Sequence, residues 1–161
     1  MDVRAEQMAE RFARAHGELT LIAERCSDAE WQACCAAEGW PVGTVVYHVA
    51  ADYPALLDVL QAITAGVPPP SVTREQLDQR NAQHAQQAVR LTRQEILALL
   101  RRNGEAIESF IRRLDSRRLD RTGRVLGQDV SGAQVIESWM IGHIRTHVAS
   151  IRAAIDLSGL K

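Results

Sequence analysis

The chain has 161 residues, a length typical of one globular domain, and 46% of them are hydrophobic, which is enough to build a sizeable core. Its 20 acidic and 19 basic side chains give a formal net charge of −1, so there is no overall attraction to nucleic acid or to an anionic membrane. The 3 cysteines, Cys26, Cys34 and Cys35, form no CxxC motif, which argues against a disulfide framework and against a thiolate zinc site.

The start of the chain gives an expectation about location. Residues 1–6, Met-Asp-Val-Arg-Ala-Glu, lack the apolar stretch of a secretory signal peptide. No run of about 18 apolar residues occurs, so no membrane-spanning helix is predicted. Together with the unpaired cysteines, these features favour a reducing cytoplasm.

The first third of the chain predicts two long helices. Apolar residues recur at helical spacing from residue 2 to 25, and Ser27–Glu30 is a capping box that opens a short helix. The next long helix begins within Pro41–Thr44 and ends at Ala65-Gly66. Pro54 lies inside this helix, where loss of a backbone hydrogen bond predicts a bend.

The rest of the chain predicts more helices and little else. Thr73–Gln76 is a capping box for a polar helix over 74–90, and Thr92–Glu95 is another for an apolar helix over 96–114; the sequence does not decide whether these are one bent helix or two. Residues 115–130 predict a turn, a short helix and a loop. Ser131–Gln134 opens the last helix, which Gly159 ends.

These elements predict the fold class. No segment alternates convincingly with period two, and there are no internal repeats. Four substantial helices with connections of middle length indicate an all-α four-helix bundle without a sheet, formed by residues 1–161 as a single domain.

Two histidines mark the last helix as a candidate site. His143 and His147 are four residues apart, or about 40° around an α-helix, so their rings lie on one face one turn apart. On a helical projection they fall in the middle of the apolar stripe that contains Ile136, Met140 and Ile151. An HxxxH pair at this spacing is the usual two-point clamp for a metal ion.

A third histidine faces the predicted core from another helix. On a helical projection His48 is centred among Val45, Leu56 and Val59, and Asp52 follows one turn later. Buried imidazoles and a carboxylate are costly without partners, and one shared divalent cation would satisfy all of them. The alternative is that they are hydrogen-bonded core residues, which is the more common role of a single histidine on an apolar face.

Two segments resemble one known family. Gly39-Trp40-Pro41-Val42-Gly43-Thr44-Val45-Val46-Tyr47-His48-Val49-Ala50 resembles the start of the second helix in the DinB/YfiT-like superfamily. Gly142-His143-Ile144-Arg145-Thr146-His147 resembles the HxxxH of that family's last helix. The order of the motifs, their separation and the total length also agree, although the specific motifs cover only about twenty residues.

The resemblance implies both a fold and a chemistry. It implies an up-down-down-up bundle and a metal triad carried onto His48, His143 and His147. It also implies zinc, nickel or manganese as the metal. The relatives that it implies are transferases and isomerases that depend on the thiols mycothiol or bacillithiol, and some hydrolases. Many relatives are described as stress-induced proteins without a known reaction, and a homodimer is compatible with the family. A small molecule is the expected partner.

Further residues are candidates around the triad. Asp52 is the candidate general base or orienting residue, and Trp139, one turn before His143, is a candidate wall of the metal cavity. Asn81 and His84, on the polar helix, are candidate substrate-binding residues together with Trp139. His84 is a candidate ligand or substrate contact, but a solvated side chain on a Gln-rich helix is the reading that the sequence favours.

Other functions have weaker support. No G-x-S-x-G elbow, P-loop or dinucleotide fingerprint occurs. A basic cluster between residues 112 and 124 contains acidic residues and no interleaved aromatics, which is poor support for nucleic-acid binding. A metal-dependent enzyme is therefore the leading hypothesis. A non-catalytic binding or sequestration protein, and a bundle with purely structural histidines, are the alternatives.

Overall fold

The computed structural model describes residues 2–158, and it is mainly helical. The prediction of an all-α bundle is confirmed. The helices are α1 (Val3–Arg25), α2 (Asp28–Trp31), α3 (Val42–Ala65), α4 (Arg74–Ala88), α5 (Arg93–Arg112), α6 (Ser116–Leu119), α7 (Gly132–Gln134) and α8 (Gly142–Ser158), with a π-helical segment, Val135–Ile141, joining α7 to α8.

The expectation of no sheet needs a correction. Two short antiparallel hairpins lie in the connections: β1 (Cys34–Cys35) pairs with β2 (Trp40–Pro41), and β3 (Thr122–Val125) pairs with β4 (Gln128–Ser131). The β3–β4 turn contains Leu126 at φ 50 and Gly127 at φ 77. Two consecutive residues in the left-handed region favour a tight hairpin, so the segment predicted as a loop folds as paired strands.

Most helix boundaries lie where the capping signals predicted them. Capping boxes are present at Ser27, Thr73, Thr92 and Ser131, and Gly66 ends α3 in the left-handed conformation with φ 76. The polar and apolar helices are separate, because α4 ends at Ala88 and α5 begins at Arg93. Helix α3 continues through Pro54 without a break. Gly159 lies outside the described residues.

Helix α5 packs against both α1 and α3, and the last helix with its π-helical segment packs against the same two helices. The bundle therefore consists of α1, α3, α5 and the π-helix–α8 pair. Helix α4 lies against α3 outside this core. The buried apolar residues form one cluster. Among the described residues, no helix is long and apolar enough to cross a membrane.

Two close helix contacts depend on glycine. The indole of Trp31 lies directly over Gly43 at the start of α3, where a Cβ would overlap it, and the Arg93 guanidinium stacks 4.8 Å above the same indole. Likewise Gly104 of α5 leaves room for the ring of His16 on α1. These contacts fix α2 against α3 and α1 against α5.

His16 is a half-buried polar group away from the predicted site. Its ring stacks on Phe12 with an interplanar angle of 4°, and its Nδ1 lies 3.0 Å from the Tyr53 hydroxyl. Burial lowers the pKa of His16 to about 4. The imidazole is therefore neutral at physiological pH.

Candidate metal centre

Helix α3 carries His48 and Asp52 into the core. Its first turns are almost entirely apolar and buried, so the helix must enter the bundle, and the side chains one turn apart face inward together. His48 is 5% exposed and Asp52 is 8% exposed. Nε2 of His48 lies 3.3 Å from Oδ2 of Asp52.

Helix α8 presents His143 and His147 to the same point. The preceding π-helical segment buries two pairs of residues five positions apart, Val135 with Met140 and Ile136 with Ile141, before α8 resumes ordinary spacing. His147 is 9% exposed and His143 is partly buried. The two rings are 4.5 Å apart and nearly perpendicular.

The three predicted histidines converge through their Nε2 atoms. Nε2 of His143 lies 3.1 Å from Nε2 of His48 and 2.8 Å from Nε2 of His147. With metal–nitrogen bonds of roughly 2.0–2.1 Å, nitrogens that share one ion lie about 3 Å apart. The three donors all lie within 4.8 Å of one another, so they could hold a metal ion.

Burial keeps two of the three imidazoles, His48 and His143, in the form that binds metals. Burial, followed by the neighbouring His143, lowers the pKa of His48 to about 3. Burial, followed by His147, lowers the pKa of His143 to about 4. Both rings are therefore neutral at pH 7, and a neutral ring offers one nitrogen lone pair to a ligand.

A carboxylate that the sequence did not single out orients His147. Glu38, in the β1–β2 turn, accepts a hydrogen bond from Nδ1 of His147 at 2.7 Å, and the Ser150 hydroxyl donates to its other oxygen at 2.5 Å. Because a carboxylate only accepts, Nδ1 of His147 carries a proton, and in the neutral ring this contact selects the tautomer whose Nε2 lone pair faces the other histidines. Carboxylate partners of this kind are typical of metal-bound histidines.

His84 is buried, so the expectation that it is solvated was wrong. It is 5% exposed, and its Nδ1 lies 3.1 Å from Nδ1 of His48. Although α4 is rich in glutamine, His84 is buried because α4 packs on α3, where His48 lies. Burial, followed by the nearby Arg80, lowers the pKa of His84. With His48 and Asp52 it forms a second group of close potential ligands.

Asp52 lies between the triad and Arg80. Its Oδ2 is 3.8 Å from Nε2 of His143, and its Oδ1 is 3.6 Å from Nε of Arg80. Burial raises the pKa of Asp52 to about 6, while Arg80 lowers it. The carboxylate is thus mainly ionised at pH 7, but it accepts a proton more readily than an ordinary aspartate.

A cavity of about 520 Å³ opens onto this group. His48, Asp52 and His143 line it from two helices, and the substrate-binding candidates Trp139 and Asn81 line it as well. His84 is not part of the wall, since its ring lies behind His48. A small molecule in this cavity would therefore reach His48, His143, Asp52 and Trp139 together, whereas His147 does not line it.

Comparison with known proteins identifies the family. The profile of the mycothiol maleylpyruvate isomerase N-terminal domain matches residues 12–143, most of the chain. The chain belongs to this family. The resemblance to the DinB/YfiT-like superfamily is thereby confirmed. The matched segment contains His48 and His143, and it ends before His147.

Two solved structures share the fold. One, the mycothiol-dependent maleylpyruvate isomerase, has a TM-score of 0.74 and 14% identity over 91% of this chain and 60% of its own. The other is YfiT from Bacillus subtilis, described as a probable metal-dependent hydrolase with an unusual four-helix bundle topology. It has a TM-score of 0.71 and 15% identity over 99% of this chain and 90% of its own. No curated protein sequence matches the chain.

Proposed function

We propose that this protein is a metal-dependent enzyme in which His48, His143 and His147 hold one divalent ion and Asp52 acts as a general base. The observation that carries the proposal is the convergence of the three Nε2 atoms at 2.8 and 3.1 Å. This chain spans 60% of the length of the mycothiol-dependent isomerase, so the activity of that enzyme is carried over to this chain only as a proposal.

The donor set fits a metal ion. Three imidazole ligands are suited to zinc and nickel, and manganese, which prefers oxygen ligands, is the third candidate. Without an ion, the Nε2 lone pair of His147 could accept a hydrogen bond from His143, and His48 could donate to Asp52. That pattern would satisfy a purely structural cluster, and the metal content of the purified protein distinguishes it from a metal centre.

The residues around the triad fit the activation of a nucleophile. A divalent ion, when bound, would act as a Lewis acid and lower the pKa of a water or thiol ligand towards neutrality. Asp52 lines the cavity beside the convergent nitrogens, and its carboxylate is placed to accept a proton from such a ligand. Arg80 stabilises the ionised carboxylate from the other side.

The reaction class follows from the relatives. We propose thiol-dependent isomerisation or transfer as the first candidate, because the family profile is that of a mycothiol-dependent isomerase. Hydrolysis is the second candidate, because YfiT matches over nearly the whole of both chains. In either case Asp52 removes a proton from the attacking thiol or water, and Trp139 and Leu56 provide apolar walls of the cavity.

The test separates an enzyme from a binding protein and from an empty bundle. The chain is purified without a histidine tag, loaded with zinc, nickel or manganese, and analysed for metal content. Turnover is then measured with maleylpyruvate plus mycothiol, and with 4-nitrophenyl acetate as a hydrolysis probe. We expect about one equivalent of metal, and turnover that His143→Ala abolishes. Metal without turnover favours a binding protein, and absence of metal after loading would contradict the proposal.

A further inference from the structure

A second cavity adjoins the one at the histidines. It has a volume of about 420 Å³, within the range of small-molecule sites. Leu56, Leu77, Arg80 and Trp139 line both cavities, so the two share a common wall. The remaining lining comes from α3, the segment before α4 and the β3–β4 hairpin: Ala55, Asp58, Val59, Pro70, Ser71, Val72, Val125 and Leu126.

The lining of this second cavity is mainly apolar. It is closed on one side by the hairpin residues Val125 and Leu126, so the hairpin that the sequence did not predict forms one of its walls. A cavity with such a lining favours a hydrocarbon body over a sugar or a nucleotide, because apolar surface gains free energy when it leaves water. Polar recognition must then come from the few charged residues at its edge.

Arg80 is the charged group at the boundary between the cavities. Its Nε is buried and makes no hydrogen bond within the described part of the chain, and the same is true of Oδ1 of Asp52. The 3.6 Å between these two atoms is an ion pair that is too long for a good hydrogen bond. A planar guanidinium in this position can still bind a second carboxylate in a bidentate manner. Asp58, the other charged residue of the lining, is exposed.

We propose that this cavity binds the hydrocarbon body of an organic monocarboxylate whose carboxylate pairs with Arg80. The proposal rests on the proposed function in one respect: the bound acid would be the substrate, placed with Arg80 beside Asp52 and the triad. Binding of the acid itself needs no metal. The proposal therefore adds a substrate class to the site, an acid with an apolar body.

The first experiment is calorimetric titration with butanoate, hexanoate and octanoate, using the chain as purified and again after treatment with a chelator. Each added methylene should tighten binding about four-fold while the cavity fills, because burying one CH₂ contributes about 0.8 kcal/mol. Octan-1-ol and octylammonium are the neutral and cationic analogues. Octanoate should bind at least about 10-fold more tightly than either, in both metal states.

Three variants locate the ligand. Arg80→Met should weaken octanoate binding by about 10-fold or more and leave octan-1-ol unchanged, because only the charged contact is lost. Arg74→Met, on an exposed residue of the same helix that lines neither cavity, is the matched control and should change neither. Ala55→Phe should fill the apolar cavity and block both ligands without changing metal content, because Ala55 does not line the histidine cavity.

The outcomes separate this proposal from the metal proposal. Octan-1-ol or octylammonium binding as tightly as octanoate would overturn the acid as the ligand class. Octanoate binding that survives Ala55→Phe, or no saturable binding at all, would overturn the cavity as its site. Octanoate binding that depends on Arg80 in a chain that takes up no metal would support this inference while contradicting the enzyme proposal.

Discussion

The contact between Glu38 and His147 gives a quantitative test of the metal centre. Glu38→Ala removes the carboxylate that accepts from Nδ1 of His147 at 2.7 Å, with a side chain that is 10% exposed. Loss of such a partner typically costs about 10–100-fold in metal affinity. That corresponds to about 1.4–2.7 kcal/mol of binding free energy.

The loss should appear as a smaller stabilisation by metal. An ion at 1,000 times its dissociation constant stabilises the folded state by about 4.1 kcal/mol. For a chain of this size, 1 kcal/mol shifts the melting temperature by about 2–4 °C. At one fixed excess of zinc or nickel, the metal-dependent rise in melting temperature should therefore be about 3–11 °C smaller in Glu38→Ala than in the wild type.

The assay is thermal unfolding by circular dichroism, with and without metal, for both proteins. Glu38→Ala should also lower the melting temperature of the metal-free protein, because Ser150 and His147 lose an acceptor. Only the difference between the two conditions reports the metal. Ser150→Ala is the matched control, since it removes the other partner of Glu38 but leaves the contact to His147. Equal metal-dependent rises in Glu38→Ala and the wild type would refute the reasoning.

Further expectations concern other parts of the molecule. His147→Ala should abolish the metal-dependent rise in melting temperature that a chelator reverses; a persistent rise would mean that the ion binds elsewhere. Asp52→Asn should lower the turnover number by about 10²–10⁴-fold while the protein keeps its metal, and loss of the metal instead would make Asp52 a ligand. His16 has a folded-state pKa of about 4 against 6.5 when unfolded, so the metal-free protein should lose stability as pH falls below about 6.5. In urea titrations at several pH values, His16→Gln should reduce the slope of unfolding free energy against pH by at most about 1.4 kcal/mol per pH unit. Gly43→Ala should destabilise the protein by about 1–3 kcal/mol, partly offset by better helix propensity, because the new Cβ overlaps Trp31; unchanged urea unfolding would show that the indole moves aside.

Local signals were sufficient to predict the helices. The capping boxes at Ser27, Thr73, Thr92 and Ser131 each use a side chain and a backbone N–H three residues apart, so the information lies within one helical turn. The inward direction of the triad histidines also follows from local spacing, since residues four apart share a helix face. The family resemblance added the expectation that the helix face with His48 meets the helix face with His143 and His147.

Features that depend on distant contacts were not predicted. Glu38 reaches His147 across 109 positions of sequence, and nothing near Glu38 signals that contact. His84 is buried because α4 packs on α3, whereas its neighbours on the same helix are polar and mostly exposed. The hairpins have strands of two and four residues, which are too short for a clear alternation of apolar and polar side chains.

The π-helical segment has a consequence for how the sequence can vary. Deleting one residue from an α-helix rotates everything after it by about 100°, which would turn both histidines of the last helix away from the triad. In Val135–Ile141 each turn already holds more residues than an α-helical turn, and the buried residues repeat at a spacing of five. The segment therefore contains a surplus residue, and its removal would convert a wide turn to an α-helical one while His143 and His147 keep their direction. A one-residue deletion should therefore be tolerated better in this segment than in an α-helical stretch ahead of the histidines.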